Sequence, residues 1–129
     1  MERQRLRTPL GQAIGLGSAK EGVDHWWAQR VSAVALIVLG LWFVIALVAH
    51  AGAARGDVAA WLHAPVTAIL MILTLAAVFY HSALGLQVVI EDYVHSEWQK
   101  LALVVAMRLL SLALAVAGIF AVLRIAFGG

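Results

Sequence analysis

Residues 64–95 read APVTAILMILTLAAVFYHSALGLQVVIEDYVH, and this stretch decides the fold. Its first part, residues 64–90, contains no Asp, Glu, Lys or Arg. It is longer than the ~20 residues with which a helix crosses ~30 Å of hydrocarbon. Lipid offers no partner for backbone N–H and C=O groups, so a segment that crosses it must be helical. The stretch therefore predicts a transmembrane helix that ends near Asp92 and Tyr93.

Two similar apolar runs, residues 31–54 and 101–127, flank this one in the chain. The 129 residues are 64% hydrophobic and 12% charged, whereas a soluble domain is about half apolar and a quarter charged. We therefore predict an all-α membrane protein with three transmembrane helices, about 28–52, 64–90 and 99–126. They form a single domain over residues 1–129. Three helices make a thin bundle, so we expect a partner chain to complete any site built on it.

Positive charges set the expected orientation. Most of them precede the first span or follow the second (Arg3, Arg5, Arg7, Lys20, Arg30, Lys100, Arg108). The positive-inside rule then places the N-terminal tail, residues 1–24, in the cytoplasm and the C-terminus in the periplasm. The same topology explains the net charge of +2, so we expect no nucleic-acid partner. The absence of cysteine excludes disulfides and thiolate-held iron–sulfur or zinc sites within this chain.

His81 lies deep inside the second apolar run. An ionisable side chain there is costly and usually functional. Ala77 and Gly85 lie one helical turn on either side of it and leave clearance for a flat metallocofactor. The alternative is a hydrogen bond to a serine, threonine or carbonyl of a neighbouring helix. The residues alone leave both interpretations open.

Depth limits what His81 can do within this chain. Asp92 follows it by eleven residues, or about 16 Å along a helix, which puts His81 near the midplane and Asp92 at the cytoplasmic interface. The other four histidines fall at span ends or in connections (His25, His50, His63, His95). A haem with two histidine ligands needs both at one depth. If His81 binds haem in this way, another subunit must supply the second ligand.

Further polar residues allow two interpretations each. Arg30, near the cytoplasmic end of the first span, can snorkel to the interface or pair with a carboxylate such as a haem propionate. We favour the pairing for Arg30 and leave Arg108 open. Asp92 and Tyr93 suit an ordinary helix end, and the two residues taken alone favour this interpretation. Alternatively, the phenol can donate a hydrogen bond to a quinone carbonyl while the carboxylate holds it or relays protons, with Glu91 and His95 close by.

The run HSALGLQVVIEDYVH, residues 81–95, resembles the small haem-bearing membrane-anchor subunit of succinate dehydrogenase, respiratory complex II. The shared pattern is a mid-membrane histidine, a glycine four residues later, and Asp-Tyr eleven and twelve residues after the histidine. Here these are His81, Gly85, Asp92 and Tyr93. The entry to the first span, GVDHWWAQRVSAVAL, is also similar and includes Arg30. The residues Ser96-Glu97-Trp98 depart from the family's pattern.

The resemblance implies a role for each matched residue. His81 would be an axial ligand of the iron of haem b, shared with a second, larger anchor subunit, and Arg30 would lie by the haem propionates. Tyr93 would hydrogen-bond ubiquinone, with Asp92 beside it. The flavoprotein and iron–sulfur subunits would carry succinate oxidation, so this chain has no catalytic residue or complete active site of its own. The composition favours a bacterial cytoplasmic membrane over the mitochondrial inner membrane.

Two other functions fit the same residues. A fumarate reductase anchor, or another b-type cytochrome subunit, would present the same histidine. A haem-free structural or transport protein would use His81 only to bond a neighbouring helix.

Overall fold

The computed structural model describes residues 18–128, with side chains from residue 22 onward. This part of the chain forms four helices: α1 (Ser18–Ala49), α2 (Arg55–His63), α3 (Pro65–Tyr93) and α4 (Glu97–Ala126). Residues 1–17 of the predicted N-terminal tail lie outside the described residues, as does residue 129.

Three of the four helices are long and apolar enough to cross a membrane. Their qualifying segments are Gly22–Ala49, Pro65–Tyr93 and Glu97–Ala126. The prediction of an all-α protein with three spanning helices is therefore confirmed. The helices differ from the expected spans at their ends, since α1 begins at Ser18 and α3 continues to Tyr93. Helical hydrogen bonding does not stop where an apolar run stops, so a helix can continue into the polar interface.

The short helix α2 was not expected from the sequence, which suggested only a connection between the first two spans. It carries Asp57 in its first turn and His63 in its last, a placement that suits the helix dipole. The turn before it needs Gly52, whose φ of 83° is strained for residues with a Cβ. Pro65 then opens α3, where its missing N–H costs no helical hydrogen bond.

Helix α3 is the centre of the bundle. It packs against α1 on one side and α4 on the other, while α1 and α4 make no close backbone contact with each other within the described residues. Helix α2 packs across one end, against α3 and α4. Close packing of α3 on α4 depends on Gly118, because a Cβ there would lie 3.2 Å from Leu75 Cδ1. Small residues allow such close approach between membrane helices.

The bundle has almost no interior. None of the described side chains is fully buried, and the few buried residues are small (Ser32, Ala46, Thr67, Ala68, Thr74, Val122). Large apolar side chains such as Ile37 and Val48 are about 70% exposed, at 69% and 70%. A continuous apolar surface of this kind faces lipid or partner helices rather than water. The thin bundle leaves functional side chains on its surface.

Candidate functional site

A hydrogen-bonded chain that starts at His81 joins α3 to α1. Its Nδ1 lies 2.9 Å from the hydroxyl oxygen of Ser32, 49 residues away in the sequence. The Ser32 hydroxyl in turn donates to the carbonyl oxygen of Gln29 at 3.0 Å. Ser32 is only 7% exposed, so packing holds its side chain in place. His81, which the sequence indicated as a candidate site residue, is thus bonded to Ser32, for which the sequence predicted no role.

The two contacts of the Ser32 oxygen form hydrogen bonds together with only one tautomer of the His81 ring. A hydroxyl has one proton to donate, and Ser32 donates it to Gln29. The Ser32 oxygen then accepts from His81 in the tautomer whose proton is on Nδ1. In the neutral imidazole the other nitrogen, Nε2, then carries a lone pair. Among the described residues, the His81 ring forms no hydrogen bond except that with Ser32.

The surroundings of His81 fit a flat ligand on one nitrogen. His81 itself is half-buried. At Gly85, one turn further along α3, an added Cβ would meet no atom within 4 Å. A metal-bound histidine commonly donates its other ring N–H to an oxygen acceptor. The donor set and the clearance therefore fit a haem whose iron is bound by Nε2.

An apolar groove of about 840 Å³ runs between α1 and α3 beside this contact. Ser32 and Ala77 belong to its lining, and the His81 ring does not. The other lining residues are almost all apolar (Trp27, Ala28, Val31, Ala35, Leu39, Leu73, Ala76, Tyr80). The site thus borders a surface that a further apolar group can cover.

Arg30 lies close to the depth of His81, because Ser32 bonds His81, and so it lies deeper than the cytoplasmic end of the first span, where the sequence placed it. Arg30 does not line the groove. It precedes Ser32 by two residues, which is about 3 Å along the helix axis. Its side chain is exposed, and the guanidinium carbon lies 5.4 Å from the centre of the Trp26 ring. A cation over an aromatic face is weakly stabilised there. The predicted pairing of Arg30 with a propionate stays a prediction.

Asp92 and Tyr93 are the last two residues of α3, and both side chains are exposed. Tyr93 is 78% exposed. The twelve residues from His81 to Tyr93 correspond to about 18 Å along the helix. The helix therefore separates two positions, one near the middle of the bundle and one at its end. Of the other residues named beside them, Glu91 and His95 are also exposed.

A second polar contact, between α3 and α4, involves Arg108. Its guanidinium donates to Gln87 Oε1, and Gln87 Nε2 donates to Glu91 Oε1 at 2.8 Å. The sequence left Arg108 open and gave Gln87 no role. Arginine in an apolar span needs a polar partner. The sequence feature that could have predicted this contact is the glutamine in the preceding, antiparallel span.

Two of the remaining histidines have structural partners at the α2 end of the bundle. His50 Nδ1 lies 2.8 Å from the carbonyl oxygen of Ala46, and His63 Nδ1 lies 3.0 Å from that of Ile125. The structure brings neither of them to His81. Within the described residues no group of three or more His, Cys, Asp or Glu side chains could hold a metal ion.

Comparison with known proteins agrees with this arrangement. The family model described as succinate dehydrogenase/fumarate reductase transmembrane subunit matches residues 4–122. The succinate dehydrogenase hydrophobic membrane anchor subunit of Rickettsia bellii is 34% identical over 117 residues, covering 91% of this chain and 94% of the relative. The protein of the same description from Paracoccus denitrificans is 33% identical over 124 residues, covering 96% and 95%. No solved structure matches the chain.

These relatives are bacterial membrane anchors of an enzyme complex, which fits three apolar helices in an inner membrane and association with the catalytic subunits. The resemblance seen in the sequence is confirmed. The chain belongs to the succinate dehydrogenase/fumarate reductase transmembrane subunit family.

Proposed function

We propose that this chain anchors the flavoprotein and iron–sulfur subunits of succinate:ubiquinone oxidoreductase to the bacterial inner membrane, shares a haem b and contributes to the ubiquinone site. His81 binds the haem iron through Nε2. Tyr93 and Asp92 face the quinone. The N-terminus and the connection between α3 and α4 lie in the cytoplasm, as the distribution of basic residues favours, and the C-terminus lies in the periplasm.

The observation that carries the haem assignment is the bond between His81 and Ser32, because it occupies only one ring nitrogen. If His81 only joined two helices, this bond would give its Nδ1 a partner. Nε2 would then remain an acceptor without a donor in an apolar layer, which costs free energy. Iron coordination uses that lone pair. When bound, the haem supplies a one-electron carrier within the membrane.

A second anchor subunit would supply the other residue that holds the haem. His50 and His63 bond to carbonyl oxygens at the α2 end, and His25 and His95 lie near the other ends of α1 and α3. None of the four lies at the depth of His81. We expect that subunit to pack against the apolar groove beside Ser32. Arg30 lies within about one helical turn of the depth of His81. Its guanidinium moves away from the Trp26 ring and pairs with a haem propionate.

The quinone site lies where α3 ends. The exposed Tyr93 hydroxyl donates a hydrogen bond to a quinone carbonyl, and the Asp92 carboxylate beside it relays protons from water. Quinone reduction consumes two protons with two electrons, so the site must open to an aqueous face. The end of a spanning helix meets this requirement, whereas the depth of His81 does not. The soluble subunits complete the pocket and carry out succinate oxidation.

The deciding experiment compares His81→Leu with Ser82→Ala in the purified complex. Ser82 is the exposed neighbour of His81 and serves as the control. We expect the leucine variant to lose the b-type haem, measured as haem per flavin and by its reduced-minus-oxidised spectrum, while Ser82→Ala keeps the wild-type haem content and spectrum. An unchanged haem spectrum in His81→Leu overturns the ligand assignment. Complex without haem in the wild type favours the structural alternative, in which His81 only joins α1 to α3.

The same complex distinguishes succinate dehydrogenase from fumarate reductase. Turnover with succinate and ubiquinone-1, compared with fumarate reduction by a reduced menaquinone analogue, gives the preferred direction. We expect succinate oxidation to dominate, in line with the description of the relatives.

A further inference from the structure

The most firmly held group around His81 is the hydroxyl of Ser32. We propose that Ser32 is a positioning residue that fixes the ring orientation of His81, raises the donor strength of its Nε2 and thereby lowers the redox potential of the haem. This proposal rests on the proposed function, since it requires iron on Nε2. It adds a residue on α1 to the determinants of a ligand on α3.

The Ser32 side chain is constrained from two directions. Its hydroxyl proton goes to the carbonyl of Gln29, one turn earlier on the same helix, which fixes the direction of the C–O bond. Helix packing buries the residue to 7% exposure, which excludes competing water. The oxygen lone pairs are therefore left in one direction, towards His81 Nδ1 at 2.9 Å. Rotation of the imidazole would break this bond, so the plane of the ring is fixed relative to α1.

The same bond changes the electron density of the imidazole. Donation from Nδ1–H to an oxygen makes the opposite nitrogen a stronger donor to a metal. Ser32 is itself a donor to Gln29, and successive hydrogen bonds polarise one another, so its oxygen is a better acceptor than that of an isolated hydroxyl. A stronger donor ligand favours the more positive, oxidised iron. Hydrogen bonding around an axial ligand is one of the protein's means of setting haem potential.

A purely structural role for Ser32 makes a different prediction. Its loss would then loosen the contact between α1 and α3 and reduce the amount of assembled complex, but haem that remained bound would keep its potential. The midpoint potential and the low-spin electron paramagnetic resonance signal of the haem therefore separate the two roles. Neither depends on turnover of the enzyme.

The experiment uses the complete purified complex with Ser32→Ala, Ser32→Thr and Ser32→Cys. Ser111→Ala is the matched control, because its partly buried hydroxyl lies on α4 and contacts only Met107 Sδ, at 3.9 Å. In Ser32→Ala we expect the haem to stay bound with a raised midpoint potential and a shifted resonance signal. Ser32→Thr keeps a hydroxyl and should stay near the wild type. Ser32→Cys offers a weaker acceptor and should fall between threonine and alanine.

Equal midpoint potentials in the alanine variant, the wild type and Ser111→Ala would overturn the proposal. If the alanine variant loses its haem, the comparison of threonine with cysteine decides, and equal potentials in those two variants refute the role of the acceptor. Failure of this inference is distinct from failure of the proposed function. If His81→Leu loses the haem but Ser32→Ala leaves the haem potential unshifted, only the role of Ser32 is refuted. If His81→Leu retains the haem, the assignment of His81 as a ligand is refuted.

Discussion

The two ends of the bundle use the same kinds of side chain in opposite ways. At the α2 end, Trp61 stacks on Trp42 at 6.1 Å and lies 4.3 Å from the His50 ring, while His63 bonds a carbonyl of α4. Along the half of α3 from His81 to Tyr93, the rings have few partners among the described residues. The α2 end is thus joined by its own ring stacking and hydrogen bonds, whereas the other half of α3 presents a ring nitrogen of His81 and the phenol of Tyr93, neither of which forms a hydrogen bond with the described residues.

This difference separates structural from functional histidines better than burial does. All three bonded histidines use Nδ1. At His50 and His63 the partner is a backbone carbonyl near a helix end, where water can reach the second nitrogen. At His81 the partner is a side chain held by its own bond to Gln29, in the middle of an apolar span. The depth of the second nitrogen, rather than the presence of a first bond, indicates which histidine needs a further partner.

The largest effect that the comparison predicts in quinone chemistry is at Tyr93. Tyr93→Phe removes the hydroxyl that we propose donates to the quinone carbonyl. A hydrogen bond of about 1–3 kcal/mol corresponds to roughly a 5- to 150-fold fall in kcat/KM for ubiquinone reduction. Succinate oxidation with an artificial electron acceptor should be unchanged, because that reaction occurs in the soluble subunits.

Tyr80→Phe is the matched control for this change. Tyr80 is the only other tyrosine of the chain and lines the apolar groove near the middle of α3. We expect its ubiquinone kinetics to match the wild type. Wild-type kinetics in Tyr93→Phe, or an equal fall in both variants, would remove Tyr93 from the quinone site.

A smaller effect is expected where α3 meets α4. Gln87→Leu removes the acceptor of Arg108 and the donor to Glu91. Hydrogen bonds between membrane helices are worth about 0.6–1.7 kcal/mol, so we expect a loss of about 1 kcal/mol in stability. Thermal dissociation of this subunit from the complex, followed in detergent, measures the effect. Gln99→Leu, a change of the same type at an exposed position near the start of α4, should leave the midpoint unchanged, and equal midpoints in the two variants would contradict the bridging role of Gln87.

How much of this could be predicted depends on whether the signal is local in the chain. The spans were evident because the length and apolarity of residues 64–90 are local properties, and the depth of His81 follows from counting along one helix. Helix α2 was missed because its nine residues are too few to show a helical repeat of apolar positions. The pairing of Ser32 with His81 joins residues 49 positions apart and depends on the register of two helices. Several registers of α1 against α3 would bury a similar apolar surface, so the apolar composition of the two helices does not select one register.

Sequence also indicates candidate site residues more readily than the contacts that support them. His81, Asp92 and Tyr93 stand out because polar residues are expensive or informative at known depths in a span. Ser32 does not stand out, since a serine in a membrane helix commonly bonds to a carbonyl of its own helix. It does so here, with Gln29, and only the three-dimensional contact reveals that the same oxygen also serves His81.

The smallest effect tests whether the α2 end is purely structural. His63→Ala removes one hydrogen bond to the Ile125 carbonyl. Because His63 is exposed, water can replace the lost partner, and the cost should be about 0.5 kcal/mol or less. Haem content and ubiquinone kinetics should stay at wild-type values, because α2 lies at the end of α3 opposite to Tyr93. A shifted haem potential in His63→Ala would mean that the two ends are coupled through α3. That result would contradict a purely structural role for the α2 end.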